Sequence, residues 1–479
     1  MLYCLNLSPH LRYEPENVYV AGLTPPPSMP GTTTISHLLD PVVTAMAKYG
    51  TPEGEQVPTY GHPEGVTVQA KAAPLVADLE ASRKVSGFLG HAANLFCSFC
   101  LCNHAEIEEL DLGDWDERDC ELVRQQAEAW LNEPTKAHRA ILQTANGVRW
   151  TSLFRLNYWD PTKHVVLGYM HNWLEGILQH HLRNLWGIGR EAMDKQRLKD
   201  LSAEEQWTDT DISDSADELS DLLEEQLEYQ QGTSSDMQHL LSPNFPSLSQ
   251  SSGTTAPQSP TPSSTPTPSH NHSQHTENDD NSETNDHDSD YFPPEESTFN
   301  FSEDDLVAIR NCIANVTLPT WVQRPPTNLG DPGHGRLKAQ EFLILFTCIF
   351  PLVIPELWYT PTSPELLRQH FTSFYHLVTA TNIISSFKTS NAAADDFHQH
   401  YIQYRTTLQH LFPNHSSKPN HHYAMHNASL MKYWGPLPSF SEFPGERLNG
   451  MFQQINTNRR LSMSFLGYQI FDFHIYTYF

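Results

Sequence analysis

The apolar positions in the first part of the chain follow two spacings, one typical of strands and one of helices. Asn17–Leu23 alternates β-branched and small residues before a run of prolines, which predicts a strand. Val66–Asp78 also predicts a strand, with Asp78 at its carboxyl end. Apolar residues at helical spacing are found in Ile35–Tyr49, Glu117–Leu131 and Val165–Trp186. Strands alternating with helices predict an α/β fold for residues 1–200.

The last third of the chain has mainly helical spacing. Helices are predicted over Gly335–Phe350, Ser363–Ser385, Ala393–Phe412, Asn420–Trp434 and Glu446–Thr457. The longest apolar run, Phe342–Ile354, has 13 residues, whereas a helix that spans a bilayer needs roughly 20. The first residues also lack the basic region of a signal peptide. We therefore expect no transmembrane segment, no secretion, and a nuclear or cytoplasmic location.

The middle of the chain differs in composition from both flanks. Residues 202–302 are dominated by Ser, Thr, Pro, Asn, Asp and Glu, so they cannot bury enough apolar surface to offset the entropy of ordering. The net charge is −28, but 24 acidic residues and no Lys or Arg lie between Leu201 and Asp305. The rest is near neutral, which neither supports nor excludes nucleic acid as a partner. We predict four regions: 1–200, a disordered acidic segment 201–305, a helical region 306–458, and a divergent tail 459–479.

Two carboxylates are candidates for metal-dependent chemistry. Asp78 ends a predicted strand, where it can reach a divalent cation, and Glu446 begins a predicted helix. Carboxylates from separate elements can together hold the cations that assist phosphoryl transfer. The alternatives are structural, because Asp78 can cap the next helix and an acidic residue in a first helical turn is stabilised by the helix dipole.

Three of the seven cysteines lie in the short segment Cys97–Cys102, which points to metal binding or core packing rather than disulfides. Cys97 and Cys100 form a C-x2-C pair, and zinc requires four ligands. Further candidate ligands are Cys102, His104, Cys120 and His171. His422 and His426 are four positions apart on a predicted helix, which is a metal-binding spacing, but no Glu lies between them. Packed, hydrogen-bonded histidines are the favoured interpretation of this pair.

Several longer phrases resemble one known family in their order along the chain. They are Leu2–Leu23, Pro74–Cys100, Gly147–Pro161, Met170–Asn172, Pro419–His426 and Phe443–Asn458. Together they are similar to the CACTA-type (En/Spm-like) transposases, in the fungal branch of that family. The resemblance covers residues 1–200 and 316–458, which is nearly all of the chain outside the acidic segment.

The resemblance implies an RNase H-like core in which two Asp and one Glu hold Mg²⁺, with a large helical insertion before the Glu. It implies cut-and-paste strand transfer on DNA, with transposon ends as partner and no small-molecule substrate. Asp78 matches the second Asp of this triad and Glu446 matches the Glu. Cys97 and Cys100 match a C-x2-C pair of the family, which implies a Zn²⁺ site.

The sequence departs from the family pattern at several places. The first Asp of the triad belongs to a strand upstream of the phrase that begins at Leu2. Gly168 stands where the family usually has Asp, Gly445 stands where it usually has Phe, and the resemblance stops after Asn458. We therefore expect an incomplete RNase H-like core without catalytic activity. The alternative function is a domesticated, non-catalytic module that binds DNA or protein, and a third is an unrelated α/β protein.

Overall fold

The computed structural model describes residues 1–22, 30–189, 299, 301–331 and 333–453. Most of the predicted acidic segment 201–305 and the whole tail 459–479 lie outside these residues. The remaining regions combine helices with small sheets, so the α/β composition expected from the sequence is confirmed. Both flanks of the acidic segment belong to one compact unit.

The strands in the described ranges form three separate two-stranded sheets. β1 (Leu2–Tyr3) pairs antiparallel with β2 (Val18–Tyr19), and β3 (Glu55–Thr59) forms a hairpin with β4 (His62–Val68). The third sheet is parallel and joins β5 (Leu75–Val76) to β6 (Val165–Val166). In its register Leu75 lies opposite Val165, and Val76 lies opposite Val166. The carboxyl ends of β5 and β6 therefore meet at one edge.

Two strand predictions were wrong. Val66–Asp78 is not one strand, because its first residues belong to the hairpin and Leu75–Val76 pairs elsewhere. We also expected it to lie beside Asn17–Leu23 in one sheet, but the two do not pair. Of Asn17–Leu23, only Val18–Tyr19 is a strand in the described residues. Residues 69–74 separate the two pieces of Val66–Asp78, and Pro74 among them lacks the amide needed for a ladder hydrogen bond.

Most predicted helices are present, and several begin at a side chain that caps the free amides of the first turn. Asp78, Asp119, Thr135, Ser302 and Ser390 are such caps. The helices of the first block are α1 (Pro9–Arg12), α2 (Thr32–Tyr49), α3 (Leu79–Ser86), α4 (Cys120–Asn132), α5 (Lys136–Asn146), α6 (Pro161–His164), and α7 (Tyr169–Leu178) and α8 (His181–Leu185), both wound as π-helices. The helices of the second block are α9 (Glu303–Asn315), α10 (Ala339–Ile344), α11 (Phe350–Trp358), α12 (Glu365–Ile384), α13 (Asn391–Leu411), α14 (Pro419–Met425), α15 (Asn427–Trp434) and α16 (Phe443–Gln453). Short 3₁₀ turns cover Pro15–Asn17, His104–Glu106, Leu112–Asp114, Ser152–Arg155 and Leu437–Phe440.

Residues from both sides of the acidic segment build the main hydrophobic core. Helix α7 packs against α10 and α14, and α12 packs along α13. Trp173 of α7 is fully buried and contacts the rings of Phe397 and Tyr401 in α13. A smaller cluster around Val43, Phe154 and Trp159 packs beneath α2. The first block and the later helices thus share one core.

One described stretch, Ala339–Trp358, is long and apolar enough by length and composition to cross a membrane. It comprises α10, the π-turned residues Leu345–Ile349 and α11. Phe342, Phe346 and Phe350 of this stretch are fully buried within the main core. The core helix of a soluble protein passes the same test of length and composition.

Candidate metal centre

The Cys97–Cys102 segment is a loop held against residues 116–118. The amide of Leu101 donates a hydrogen bond to the carbonyl of Asp116 at 2.9 Å, and the amide of Arg118 donates one to Phe99 at 2.9 Å. The guanidinium Nε of Arg118 also donates to the carbonyl of Cys97 at 2.8 Å. These bonds fix a turn in which both thiols of the C-x2-C pair point into the protein, where they are buried.

The other half of the centre comes from α14 and the residue that follows it. Pro419 begins the helix, and its fixed φ and missing amide suit the first helical position. His422 and His426 lie one turn apart on the face directed toward the loop, and both are buried. Tyr423 reinforces this contact, because its hydroxyl donates to the carbonyl of Phe96 at 3.1 Å.

The loop and the helix bring four ligand atoms together within 4.8 Å of one another. Cys100 Sγ lies 3.2 Å from His422 Nε2 and 3.5 Å from His426 Nε2, and Cys97 Sγ lies 3.5 Å from His426 Nε2. The two Nε2 atoms are 3.3 Å apart. Tetrahedral zinc, with bonds of about 2.3 Å to sulfur and about 2.0–2.1 Å to nitrogen, places S and N about 3.5 Å apart and N and N about 3.3 Å apart. The four residues therefore form a buried Cys2His2 cluster that fits zinc.

The acid–base state of the cluster also suits a metal. Burial alone would raise the pKa of the Cys97 thiol, but hydrogen bonding with Cys100 and the neighbouring imidazoles holds it well below its usual value. The hydrogen bond with Cys97 and burial raise the pKa of Cys100. Burial lowers the pKa of His422, which keeps its ring neutral. A thiolate beside a neutral imidazole is the kind of donor that zinc binds.

The sequence found this centre only in part. It identified Cys97 and Cys100 and expected a further Cys or His to converge on them, but it favoured packing roles for His422 and His426. Of the other candidate ligands, Cys102 is buried with its thiol directed to the carbonyl of Asn103. The four-residue spacing of the two histidines was the signal that could have completed the set.

Asp78 lies two residues beyond β5 and caps α3, because its carboxylate accepts a hydrogen bond from the amide of Ala81 at 2.7 Å. Asp78 therefore acts as a helix cap, which was the structural alternative to a metal-binding role. A cap uses one oxygen of the carboxylate, and the other oxygen is left for further contacts.

Glu446 lies in α16 and contacts His171 of α7, with 3.1 Å between Oε1 and Nε2. The other ring nitrogen of His171 lies 2.8 Å from Glu175 Oε2. Burial is the main cause that raises the pKa of Glu446, and the charges of Glu175 and then Asp78 add to it. Asp78 and Glu446 are 368 positions apart in sequence, and both lie beyond the same edge of the β5–β6 pair.

Burial alone would lower the pKa of His171, but the hydrogen bond to Glu175 and the charges of Glu442, Glu175 and Glu446 raise it to about 9. Glu442 also belongs to this acidic group, although the sequence gave no reason to single it out. Its burial raises its pKa to about 7. Glu175, Glu442 and Glu446 surround His171. Together with Asp78, which follows the neighbouring strand β5, they are called the acidic group below.

Comparison with known proteins adds no further assignment. No model of a known protein family matches the chain, and neither the curated proteins nor the solved structures contain a significantly similar one.

Proposed function

We propose that these 479 residues are a transposase-derived protein with a divalent-cation site at the acidic group and a structural zinc centre. One observation supports this most. Asp78 and Glu446, which the resemblance matches to the second and third triad residues, both lie beyond one edge of the β5–β6 pair: Asp78 follows β5, and Glu446 contacts His171, which follows β6. Nothing in their sequence separation requires this placement. Carboxylates delivered to one place from separate elements are the arrangement that metal-assisted phosphoryl transfer needs.

The acidic group offers the donor type that suits Mg²⁺ or Mn²⁺, whereas among the described residues the only group of three or more ligand atoms within 4.8 Å of one another is that of the Cys2His2 cluster. Both ions prefer carboxylate oxygens, whereas zinc accepts the thiolates and imidazoles of the other centre. Asp78 and Glu446 would hold the ion, and a bound ion would supply charge stabilisation for a phosphoryl oxygen. A buried carboxylate oxygen of Glu442 without a hydrogen-bond partner lies in the same group. A buried carboxylate oxygen without a hydrogen-bond partner is one that a cation or a proton can complete.

We further propose that a polypeptide of this sequence does not cut or join DNA. The resemblance assigns two of the three triad carboxylates to its residues. A pair of metal ions needs a bridging carboxylate, and two-metal strand transfer loses its geometry without one. The RNase H-like core itself remains part of this proposal, supported by the parallel strand pair β5–β6 with Asp78 just beyond it.

A test of the function combines nicking with binding. The purified protein is incubated with supercoiled plasmid in Mg²⁺ or Mn²⁺, beside the Asp78→Ala/Glu446→Ala variant. We expect equal, background nicking from both. Nicking by the wild type that disappears in the variant would show an active enzyme and overturn the claim of inactivity.

DNA binding is tested separately, with short random duplexes at low and moderate salt. Binding should weaken as salt rises, since phosphate contacts release counterions. Absence of binding at low salt would contradict the proposed DNA partner.

A second candidate function is a non-catalytic binding module. The pairing of Glu446 with His171 favours it, because this ion pair occupies an oxygen that a metal would otherwise use. Under this function, DNA binding would be the same with Mg²⁺ and with EDTA. Under the first, Mg²⁺ would change the affinity, and the Asp78→Ala/Glu446→Ala variant would no longer respond.

A further inference from the structure

Two half-buried histidines face each other across the hairpin formed by α12 and α13. His376 lies eight residues before Ile384, the last residue of α12, and His400 lies nine residues after Asn391, the first residue of α13. Packed helices joined by a short connection place residues that are equally far from the turn opposite one another. Nδ1 of His376 and Nδ1 of His400 are accordingly 2.9 Å apart. Tyr375 packs edge-on against both rings, with centroid distances of 5.3 and 5.8 Å.

The separation of the two Nδ1 atoms suits one metal ion held by both rings. Two ligands at right angles, each with a bond of about 2.0 Å to the ion, are about 2.8 Å apart. Square-planar or tetragonal coordination by nitrogen and oxygen is typical of Cu²⁺ and Ni²⁺. Without an ion, the two nitrogens share one proton in a hydrogen bond. An ion can replace this proton once the donating ring carries its proton on Nε2 instead, and neither helix has to move far.

The surroundings of the pair favour a cation that exchanges with solvent. Burial, and then the charge of His400, lowers the pKa of His376, and the neutral imidazole is the form that binds a metal ion. Both rings are partly exposed, so water can complete the coordination of an ion. Asp396 is exposed and lies one turn before His400 on α13, which places an acidic group on the same face of the helix.

A second histidine pair shows why the pair on the hairpin is the better metal site. Nε2 of His180 and Nε2 of His415 are 3.0 Å apart, but cations lie beside them. Burial is the largest cause that lowers the pKa of His180, and the charges of its histidine partner, of Lys418 and of Arg405 add to it. Fixed positive charges oppose the binding of a metal ion. The pKa of His376 has no such contribution from a Lys or Arg among the described residues.

We propose that His376 and His400 form a transition-metal site on the α12–α13 hairpin, in which two imidazoles and water hold a divalent ion of the Cu²⁺ and Ni²⁺ class. Cu²⁺ binds most tightly of the first-row divalent ions to a given set of nitrogen and oxygen ligands. An ion held by both helices links them and stabilises the hairpin. The site shares no residue with the Cys2His2 cluster or the acidic group, and it does not depend on the function proposed above.

The experiment titrates the full chain with Cu²⁺ after the Cys2His2 cluster has been saturated with zinc, and it records electron paramagnetic resonance spectra. We expect a tightly bound Cu²⁺ whose spectrum is split by two imidazole nitrogens. His376→Gln and His400→Gln should each weaken binding at least about tenfold, because loss even of a residue that only orients a metal ligand costs about 10–100-fold. His410→Gln removes an exposed histidine from α13 and should bind like the wild type.

Three results would overturn the proposal. Equal Cu²⁺ affinity in His376→Gln and the wild type would show that the pair is not the site. A loss in His410→Gln as large as that in His376→Gln would show that scattered surface histidines bind the copper. Thiolate-to-copper absorption with release of zinc, in place of the imidazole signal, would show that Cu²⁺ enters the Cys2His2 cluster instead.

A measurement on the wild type decides the matter if a variant folds poorly. Diethyl pyrocarbonate acylates unprotonated imidazole nitrogens, and mass spectrometry identifies the modified histidines. Bound Cu²⁺ should slow the modification of His376 and His400 several-fold, because their free nitrogens are then coordinated, and should leave His410 unchanged. Equal rates at His376 and His400 with and without Cu²⁺ would contradict the proposal.

Discussion

The two groups of ligand-type residues in this protein are assembled in the same way but differ in their surroundings. Each joins residues of the first block to residues more than 270 positions later. The Cys2His2 cluster is fully enclosed, and its four donor atoms already have the spacing of a tetrahedral site. The acidic group is partly open, with Glu446 about half exposed (51%) and a histidine between its carboxylates. Enclosure suits a permanent ion, and access suits an exchangeable one.

Removal of zinc should have the largest effect on stability. Cys97→Ser combined with Cys100→Ser leaves two buried histidines without their partners and unties the loop from α14. We expect the free energy of unfolding to fall by about 3 kcal/mol or more, since structural zinc contributes strongly to folding. Zinc content by elemental analysis and thermal melting check this prediction. Cys4→Ser, which changes an exposed thiol outside the cluster, should keep one zinc and an unchanged melting temperature.

Acid should destabilise the main core around His181. Burial, together with the charges of His370 and His415, lowers the pKa of His181 to about 3. The unfolded chain binds a proton near pH 6.5 and the folded chain does not, so stability is full above about pH 6.5 and falls as the pH drops toward 3. At about pH 5 the titration of His181 lowers the free energy of unfolding by about 2 kcal/mol relative to neutral pH.

Urea unfolding between about pH 7 and 5 measures this slope. His181→Gln, which removes the titrating ring, should have a shallower dependence than the wild type by about one proton. Because the zinc ligands are unchanged in that variant, acid release of zinc affects both proteins equally. Identical slopes would show that His181 is protonated in the folded state.

Gly168→Ala should sharpen the description of the acidic group. The new methyl group would overlap Glu442 Oε1, and relief by movement of a buried carboxylate costs about 1–3 kcal/mol. The loss should largely disappear in a Glu442→Ala background, where the volume is free. A double-mutant cycle by chemical unfolding measures this coupling. Additive losses would mean that the two positions do not share this space.

The smallest effect should come from the helix caps, and it separates the two roles of Asp78. Asp78→Ala and Asp119→Ala each remove a capping carboxylate, since Asp119 accepts from the amide of Leu122 at 2.8 Å. Each should lose about 1 kcal/mol of stability. Only Asp78→Ala should also weaken Mn²⁺ binding. Equal Mn²⁺ affinity in both variants would show that Asp78 acts only as a helix cap.

The helices were more predictable from the sequence than the sheets. α2, α12 and α13 agree with their predicted ranges within a few residues, because each has an apolar face of several turns. β5 and β6 have two residues each and are buried on pairing, so they leave no alternating pattern. Val165–Val166 was accordingly assigned to the helix that follows it. Short buried strands and buried helices share the same composition.

The metal centre was predictable only up to its local spacings. Cys97 and Cys100 are linked by a motif, and so are His422 and His426, but no spacing connects the two pairs. Their meeting depends on how α14 packs against α7 and on the bonds that hold the cysteine loop to Arg118. Glu442 had no signal at all, since the space that it fills follows from the missing side chain of Gly168.

The separation of the zinc ligands also sets an order of events during synthesis. Cys97 and His426 are 329 positions apart, so a ribosome adding ~5–20 residues per second needs roughly 15–65 s between them. During this interval the two thiols are made but their imidazole partners are not. Closure of the chain between the cysteine and histidine pairs is therefore late in synthesis. Until then, a nascent chain depends on a reducing environment to keep both sulfurs available. Release of a chain before His422 would leave a cysteine pair that can bind metal only weakly or pair with other thiols.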